Sequence, residues 1–215
     1  MKLYIIRHAD PDYANNTITE FGHLEANALA NYLKDVKIDK IFTSPLGRAK
    51  DTARPTCEVK GLDYTVLDWT AESMDYMRRI NRPEELKYCF SVKDGVTGFV
   101  DFSDEDRGNT IDSLIKGSDE FLKSFGLVRE GGRYRVESED HSHVCVFCHG
   151  GFGGAWISHL LLRPPEMGWC DIRLRTSSIT EFNFKDDGSG YAFPVLVTLA
   201  ATPHIVLSGL KLNDR

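Results

Sequence analysis

Two histidines, two arginines and one carboxylate in this sequence have side chains that together could handle a phosphoryl group. They are far apart in the chain, at Arg7, His8, Arg48, Glu72 and His149. Two guanidinium groups directed at one point suit a dianion with paired oxygens, and phosphate fits them better than a carboxylate does. A neutral histidine beside that anion can attack phosphorus when a hydrogen bond holds its far nitrogen. The residue types therefore indicate phosphoryl transfer, if the fold brings them together.

The side chains beside the nucleophile supply the other requirements of such a reaction. Arg7 and Arg48 would offset the negative charge that repels a nucleophile and would stabilise the charge that spreads in the transition state. His149 can hold phosphate oxygens, and the helix start at Gly150 adds backbone N–H donors and a positive dipole. A carboxyl group such as Glu72 could protonate the leaving alkoxide. Because the arginines supply the positive charge, this scheme predicts no metal ion and no other cofactor.

The proton donor has alternatives at the level of sequence. Glu72 follows the third predicted strand, but Asp10, Asp68 and Asp75 could also donate the proton. His204 could reach the site from the C-terminal segment, or it could be a turn residue. A metal-dependent phosphatase built on Asp10, Asp12 and the histidines is a further alternative, because carboxylate oxygens and imidazole nitrogens ligate divalent cations.

The hydrophobic pattern predicts the elements that must position these residues. Short apolar runs that predict buried strands alternate with longer segments of helical periodicity along most of the chain. The predicted strands are residues 2–6, 40–43, 64–69, 143–147, 178–184 and 193–199. The predicted helices are residues 20–34, 45–57, 110–126 and 152–162, with Thr19 as the N-cap of the first and Ser44-Pro45 at the start of the second. This order predicts an α/β fold, a three-layer αβα sandwich whose sheet is mostly parallel and has helices on both faces.

The predicted sheet explains how residues so far apart could form one site. The carboxyl ends of parallel strands meet at one edge, and ligands of such sheets bind beyond that edge. Each candidate residue follows one of four predicted strands, either directly or after a short connection. The fold would therefore bring both histidines, both arginines and the carboxylate together.

We expect a single domain over residues 1–215, with an inserted lid over about 74–140. Residues 74–108 mix charges, glycines and aromatic residues without a clear period. The lid would favour a phosphoester whose leaving group is apolar or carries a ring, through a set of basic and aromatic residues: Arg78, Arg79, Arg82, Lys87, Tyr76, Tyr88, Phe90, Phe99 and Phe102. A satellite hydrophobic cluster that caps the sheet is an equally good interpretation of these residues.

Composition limits the partners and the compartment. The chain has 26 basic and 32 acidic residues and a net charge of −6, which argues against a nucleic-acid partner. No apolar run approaches the roughly 20 residues of a membrane helix, and the first strand is too short for a signal peptide. Cys145 and Cys148 form a C-x-x-C inside a predicted strand, which indicates reduced structural thiols and a cytoplasmic location. The run Leu160-Leu161-Leu162 and the edge strands leave room for a homodimer.

Four segments of the sequence resemble the histidine phosphatase superfamily, in the smaller branch that includes phosphoglycerate mutase. They are Ile5-Ile6-Arg7-His8-Ala9, Leu24-Glu25-Ala26, residues 43–53 (TSPLGRAKDTA) and His149-Gly150-Gly151. The resemblance implies that His8 becomes phosphorylated and that Glu72 is the proton donor. It also implies that the phosphoryl group of a small phosphoester is held by Arg7, Arg48 and His149.

Three departures from the family pattern bear on the activity. Ala9 replaces the glycine that usually follows the nucleophile, and alanine would strain a backbone that needs positive φ. The asparagine that mutases have soon after the motif is displaced to Asn15 or Asn16, and no Glu-Arg-x-Tyr-Gly stretch follows Glu72. These gaps favour a metal-independent phosphomonoester hydrolase. A phosphoglycerate-type mutase and a catalytically weak protein that binds phosphorylated ligands are the alternatives.

Overall fold

Strands and helices alternate through most of the chain in the computed structural model, which describes residues 1–72, 91–93, 96–98, 104–186 and 188–213. The described strands are β1 (Lys2–Arg7), β2 (Pro11–Asp12), β3 (Thr17–Ile18), β4 (Lys40–Thr43), β5 (Tyr64–Val66), β6 (Ser91–Lys93), β7 (Val96–Gly98), β8 (Leu127–Glu130), β9 (Arg133–Val136), β10 (His143–Cys148), β11 (Ile179–Asp186) and β12 (Tyr191–Ala201). The described helices are α1 (Glu20–Leu33), α2 (Gly47–Lys60), α3 (Asp104–Lys123), α4 (Gly150–Leu160), α5 (Pro165–Asp171) and α6 (Pro203–Leu207).

A central sheet of eight strands has the order β5-β4-β10-β1-β11-β12-β9-β8. The half from β5 to β1 is parallel, whereas every pairing from β1 to β8 is antiparallel. The predicted α/β sandwich is confirmed, but the sheet is parallel in one half only, not over most of its width. The reason is that β8–β9 and β11–β12 are hairpins, and a short turn can join only antiparallel strands.

Hydrophobic clusters on both faces of the sheet attach the helices to it. On one face, side chains of β1 and β10 pack with Leu114 of α3 and Trp156 of α4. On the other face, Ile6 and Phe147 pack with Leu29 of α1 and Ala53 of α2. The central residues of β1 and β10 are buried on both faces of the sheet, as in sheets that helices cover on both sides. The three predicted layers are therefore present.

Of the two helix starts near the site, one agrees with the sequence signal and the other does not. Thr19 caps α1 as predicted, and its Oγ1 accepts the N–H of Gly22 at 3.0 Å. The predicted start of α2 at Ser44-Pro45 is wrong, because α2 begins at Gly47 and its N-cap is Leu46. The hydroxyl of Ser44 contacts a histidine ring instead of capping a helix.

The predicted lid can be compared with the structure only in part. Its basic and aromatic residues, and Asp75, lie outside the described residues, which between 73 and 103 are the two short strands β6 and β7 alone. From residue 104 onward, the chain forms α3 and then β8 and β9, which lie at the edge of the central sheet. The single-domain boundary remains a prediction.

The C-x-x-C motif lies inside β10, as predicted. Cys145 and Cys148 are both buried and free, and they belong to the hydrophobic clusters on opposite faces of the sheet. Burial raises the pKa of both thiols, so neither is activated as a nucleophile. Separately, none of the helices in the described part of the chain is long and apolar enough to cross a membrane.

Candidate active site

Two neighbouring parallel strands bring the two histidines together. Arg7, the last residue of β1, is paired with Cys148, the last residue of β10. His8 and His149 therefore leave the sheet side by side, with ring centroids 5.2 Å apart. A ring nitrogen of each histidine and a carboxylate oxygen of Glu72 lie within 4.8 Å of one another. The structure therefore brings His8, His149 and Glu72 together at the carboxyl edge of the parallel strands, as the predicted sheet requires.

His8 has the properties of a neutral nucleophile. Its Nδ1 lies 2.7 Å from the carbonyl oxygen of Ala9, and in the neutral tautomer with Nδ1 protonated this N–H donates to that carbonyl. Nε2 then keeps its lone pair, is buried, and has no hydrogen-bond partner among the described residues. Burial and the nearby Arg7 and Arg48 lower the pKa of His8 to about 3. The ring is therefore neutral at physiological pH.

Alanine at position 9 fits the backbone without strain. The described non-glycine residues with positive φ are Asn16, Leu162, Ser177 and Ala200, and Ala9 is not one of them. Its N–H donates to Oγ1 of Thr52 at 2.9 Å, and its methyl group is fully buried. The expectation of strain from the missing glycine is therefore wrong.

Two guanidinium groups flank the histidines, as predicted. Nη1 of Arg7 donates to the carbonyl oxygen of Leu174 at 2.6 Å, and burial lowers the pKa of Arg7 while Tyr13, Glu72 and other partners raise it. Nη2 of Arg48, in the first turn of α2, lies 3.6 Å from Oε2 of Glu72. A Cβ at Gly150 would lie 3.2 Å from Nε of Arg7, so glycine there lets this arginine lie against the start of α4.

Glu72 is held against the start of α4. Its Oε1 accepts the N–H groups of Gly151 at 2.7 Å and Phe152 at 3.3 Å. The preceding 3₁₀ turn, Asp68–Thr70, is fixed by Trp69, whose ring packs edge-on against Trp156 with centroids 5.1 Å apart. The other carboxylate oxygen of Glu72, Oε2, faces Arg48 and the ring of His149. Glu72 is thus a member of the site.

Asp10, the alternative carboxylate, is engaged elsewhere. Its Oδ2 accepts the hydroxyl of Thr19 at 2.7 Å, and its Oδ1 accepts the side-chain amide of Asn213 at 2.7 Å. Its backbone N–H donates to Oε2 of the buried Glu25 at 2.7 Å. These contacts link the start of α1 to the C-terminal segment, which is a structural task.

His149 is completely buried and is oriented by Ser44. Its Nε2 lies 2.7 Å from Oγ of Ser44, and its Nδ1 lies 3.9 Å from Oε2 of Glu72. The N–H of Leu46 donates to the same Oγ at 3.4 Å, so the hydroxyl proton is available for Nε2. When the Ser44 hydroxyl donates to Nε2, the proton of the neutral ring is on Nδ1, which faces Glu72. Burial, His8 and the two arginines lower the pKa of this ring well below its usual value.

Comparison with known protein families identifies the chain. The model of the histidine phosphatase superfamily (branch 1) matches residues 3–193. The chain belongs to this family. Membership supports a phosphatase that acts through a phosphohistidine, as the sequence resemblance implies.

Two solved structures of similar fold are named as phosphatases. A phosphoserine phosphatase from Entamoeba histolytica is 23% identical, covers 95% of this chain and 98% of its own, and superposes with a TM-score of 0.66. A mycobacterial glucosyl-3-phosphoglycerate phosphatase is 20% identical, covers 93% and 99% of the two chains, and has a TM-score of 0.63. At these identities the likeness concerns the fold. A search among curated proteins finds no significant match.

The histidine phosphatase site has supporting residues that the sequence reasoning missed. The loop before β11 holds the nucleophile strand, because Ser177, at φ 54°, donates its N–H to the carbonyl of His8 at 3.1 Å. His204, whose role was open, lies behind this loop with Nε2 2.8 Å from Oγ of Ser177, and it does not reach into the site. Thr176 donates its hydroxyl to Glu25 at 2.7 Å. Only Glu25 had a sequence signal, as a charge within the apolar face of α1.

The same site was tested for a metal ion. His8, Glu72 and His149 form the only group of three potential ligands among the residues that the structure describes. Arg48 lies 3.6 Å from the Glu72 carboxylate, and such a guanidinium disfavours a cation and favours an anion. Asp12 is paired with the side-chain amide of Asn15 in the connection between β2 and β3, and it is not a member of this group. The metal-dependent alternative built on Asp10 and Asp12 therefore has no support in this geometry.

Proposed function

We propose that this histidine phosphatase hydrolyses small phosphomonoesters by forming a covalent phosphate on Nε2 of His8. The observation that supports this most directly is the state of that nitrogen, which is buried, unprotonated at neutral pH and without a partner among the described side chains. Arg7 and Arg48 lie beside it and can attract the dianion to it. A neutral nucleophile next to two fixed positive charges is what attack on a phosphate dianion requires.

The proposed reaction has two steps that balance in protons and bonds. In the first step, Nε2 of His8 bonds to phosphorus while the ester P–O bond breaks, and the Glu72 carboxyl group protonates the leaving oxygen. In the second step, water bonds to phosphorus while the P–N bond breaks, and the Glu72 carboxylate takes the proton of that water. Inorganic phosphate leaves, and both side chains return to their starting states.

The other residues of the site would hold the phosphoryl oxygens. The Nδ1–H of His149 and the guanidinium of Arg48 lie on the Glu72 side, and Arg7 lies against the start of α4 at Gly150. The helix dipole at Gly150 adds positive potential at the same place. We assign these four residues to phosphoryl binding.

A hydrolase is favoured over a mutase by the sequence gaps noted above. The two structural relatives are named for phosphoserine and for glucosyl-3-phosphoglycerate, which are small phosphorylated metabolites. A small-molecule phosphoester is therefore the substrate class that we propose for this chain. The free buried thiols of Cys145 and Cys148 favour a reducing compartment, for which the cytoplasm is our proposal.

The decisive experiment is hydrolysis of 4-nitrophenyl phosphate with a metal chelator present, from pH 5 to 8, for the wild type and His8→Ala. We expect chelator-resistant turnover in the wild type and a loss of about 10³-fold or more in the variant. His141→Ala is the matched control, because His141 is exposed and paired only with Glu139 in the described contacts.

Three results would contradict the proposal. If His8→Ala retains turnover, the phosphohistidine route is wrong. If the wild type binds inorganic phosphate but hydrolyses no phosphoester, the chain is a phospho-ligand binding protein instead. Formation of an isomer from a sugar-acid phosphate would identify a mutase.

A further inference from the structure

Tyr13 is an aromatic residue at the rim of the site that the mechanism does not use. It lies in the connection between β2 and β3, and 57% of its surface is exposed. The guanidinium carbon of Arg48 lies over its ring, 5.3 Å from the ring centroid. Its side chain also interacts with Arg7 and helps to raise the pKa of that guanidinium. One tyrosine thus contacts both arginines proposed to bind phosphate.

The loop that presents Tyr13 is fixed by contacts on either side of it. Asp12 accepts the backbone N–H of Asn15 at 3.2 Å and its side-chain amide at 2.7 Å. Asn16 has a positive φ of 51°, and its carbonyl lies so close to Gly47 that a Cβ there would overlap it. The loop is therefore seated on the first turn of α2, beside Arg48.

The position of the ring relative to Glu72 defines what it would contact. In the proposed reaction, the leaving oxygen departs on the side of Glu72, which lies 3.6 Å from Arg48. The side chains of Glu72 and Arg48 are only 5% and 8% exposed, so the phosphoryl end of a substrate is enclosed. The leaving group of a bound phosphoester must extend outward from this enclosed end, and the exposed Tyr13 ring lies beside Arg48 at the same end.

We propose that Tyr13 determines leaving-group specificity. Its exposed face packs against the leaving group, so the enzyme prefers phosphoesters whose leaving group is an aromatic ring or a flat apolar group over compact alkyl ones. The Arg48 guanidinium lies over the ring, and this contact holds the ring at the rim of the site. An aromatic pair adds attraction beyond the area that it buries. This inference rests on the proposed phosphatase function for the direction in which the leaving group departs.

The experiment measures binding of phenylphosphonate and methylphosphonate by calorimetry, because these ligands are not hydrolysed and differ only in the group on phosphorus. We expect the wild type to bind phenylphosphonate more tightly. In Tyr13→Leu, the ratio of the two affinities should fall about threefold to tenfold, while Tyr13→Phe should keep it within about twofold. Tyr191→Leu is the matched control. The Tyr191 ring also has an arginine over it, because the guanidinium carbon of Arg133 lies 3.6 Å from the ring centroid, but Tyr191 is on β12 and not in the β2–β3 connection.

The outcomes separate this inference from the proposed function. An unchanged affinity ratio in Tyr13→Leu overturns the inference, and so does an equal loss for both ligands, which would mean that Tyr13 only orients the arginines. A wild type that binds both phosphonates equally, or binds neither, also overturns it. Absence of turnover in the wild type would refute the phosphatase proposal, but the phosphonate ratio would still test Tyr13. Since Tyr13 is mostly exposed, we expect all variants to fold, and their melting temperatures check this.

Discussion

The two halves of the central sheet differ in how they relate to the site. In the parallel half, β1, β4, β5 and β10 all end at the same edge, and the proposed phosphoryl-binding and proton-transfer residues follow those ends. In the antiparallel half, β8, β9, β11 and β12 run in alternating directions, so their ends are divided between both edges. Parallel pairing therefore brings the distant residues together. The antiparallel half contributes the loop before β11, which is hydrogen-bonded to the backbone at His8.

Burial differs between the halves in the same way. The four central residues of β1 and the last five of β10 are buried, whereas side chains along β12 alternate between less and more exposed. The exposed ones are apolar: Phe193, Val195, Val197 and Leu199. A strand covered by helices on both faces needs apolar residues throughout, and an edge region covered on one face does not. The predicted homodimer remains a prediction.

After the loss of the nucleophile in His8→Ala, the largest expected effect in the parallel half is that of Glu72→Gln. We expect a loss of about 10² to 10⁴-fold in kcat for an alkyl phosphate, because the leaving alkoxide needs a proton. The loss should be much smaller for 4-nitrophenyl phosphate, whose leaving group needs little protonation. Steady-state kinetics with both substrates tests this, and equal losses for the two would show that Glu72 only orients its neighbours.

A change in the antiparallel half should instead alter stability with pH. His204, on α6 after β12, is buried, and burial lowers its pKa from 6.5 to about 4. Between these values the unfolded chain binds more protons than the native state, so the free energy of unfolding falls as the pH falls from 6.5 towards 4. His204→Asn should remove up to about 3 kcal/mol of this acid destabilisation. Denaturant unfolding at pH 7, 6, 5 and 4.5 measures it.

The control for this prediction is His141→Asn, which replaces an exposed histidine. His8 and His149 also have lowered pKa values, so a pH dependence should persist in His204→Asn with a smaller slope. An identical slope in wild type and His204→Asn would mean that this ring is accessible to protons in the native state.

The smallest expected effect is that of Ser44→Ala, again in the parallel half. The hydroxyl orients His149, so its loss should lower kcat about tenfold, in line with the net value of one buried hydrogen bond. The affinity for inorganic phosphate should fall with it. Ser208→Ala, which removes a hydroxyl bonded to the carbonyl of Ile205, is the matched control and should leave both values unchanged. Similar kinetics in the two variants would contradict a role for Ser44 in the site.

The sequence predicted the parallel half better than the antiparallel half. His8, Glu72 and His149 could be found because each follows a strand whose apolar run is visible by itself. The hairpin of β8 and β9 was placed in the lid, although Gly131 and Gly132 mark its turn. Its position in the central sheet depends on pairing with β12, more than 50 residues further along the chain, and no local pattern encodes such a partner.

The supporting contacts of the site were beyond sequence reasoning for a related reason. Ser44 was assigned to a helix cap because Ser-Pro before a helix is a strong local signal, yet its hydroxyl partner, His149, lies 105 residues away. Ser177 and His204 meet each other only in the folded chain. The candidate residues for the chemistry could be located from the sequence, whereas the residues that contact and orient them depend on tertiary contacts.

The bond from His8 to the carbonyl oxygen of Ala9 has a consequence for how the nucleophile is held. In a serine protease, a carboxylate side chain orients the catalytic imidazole, and a carboxyl group loses its charge when it titrates in acid. A peptide carbonyl does not ionise in this range, and it is joined to the ring by the chain itself. The partner that orients the His8 ring therefore keeps the same charge in acid and at neutral pH, and no side-chain substitution removes it.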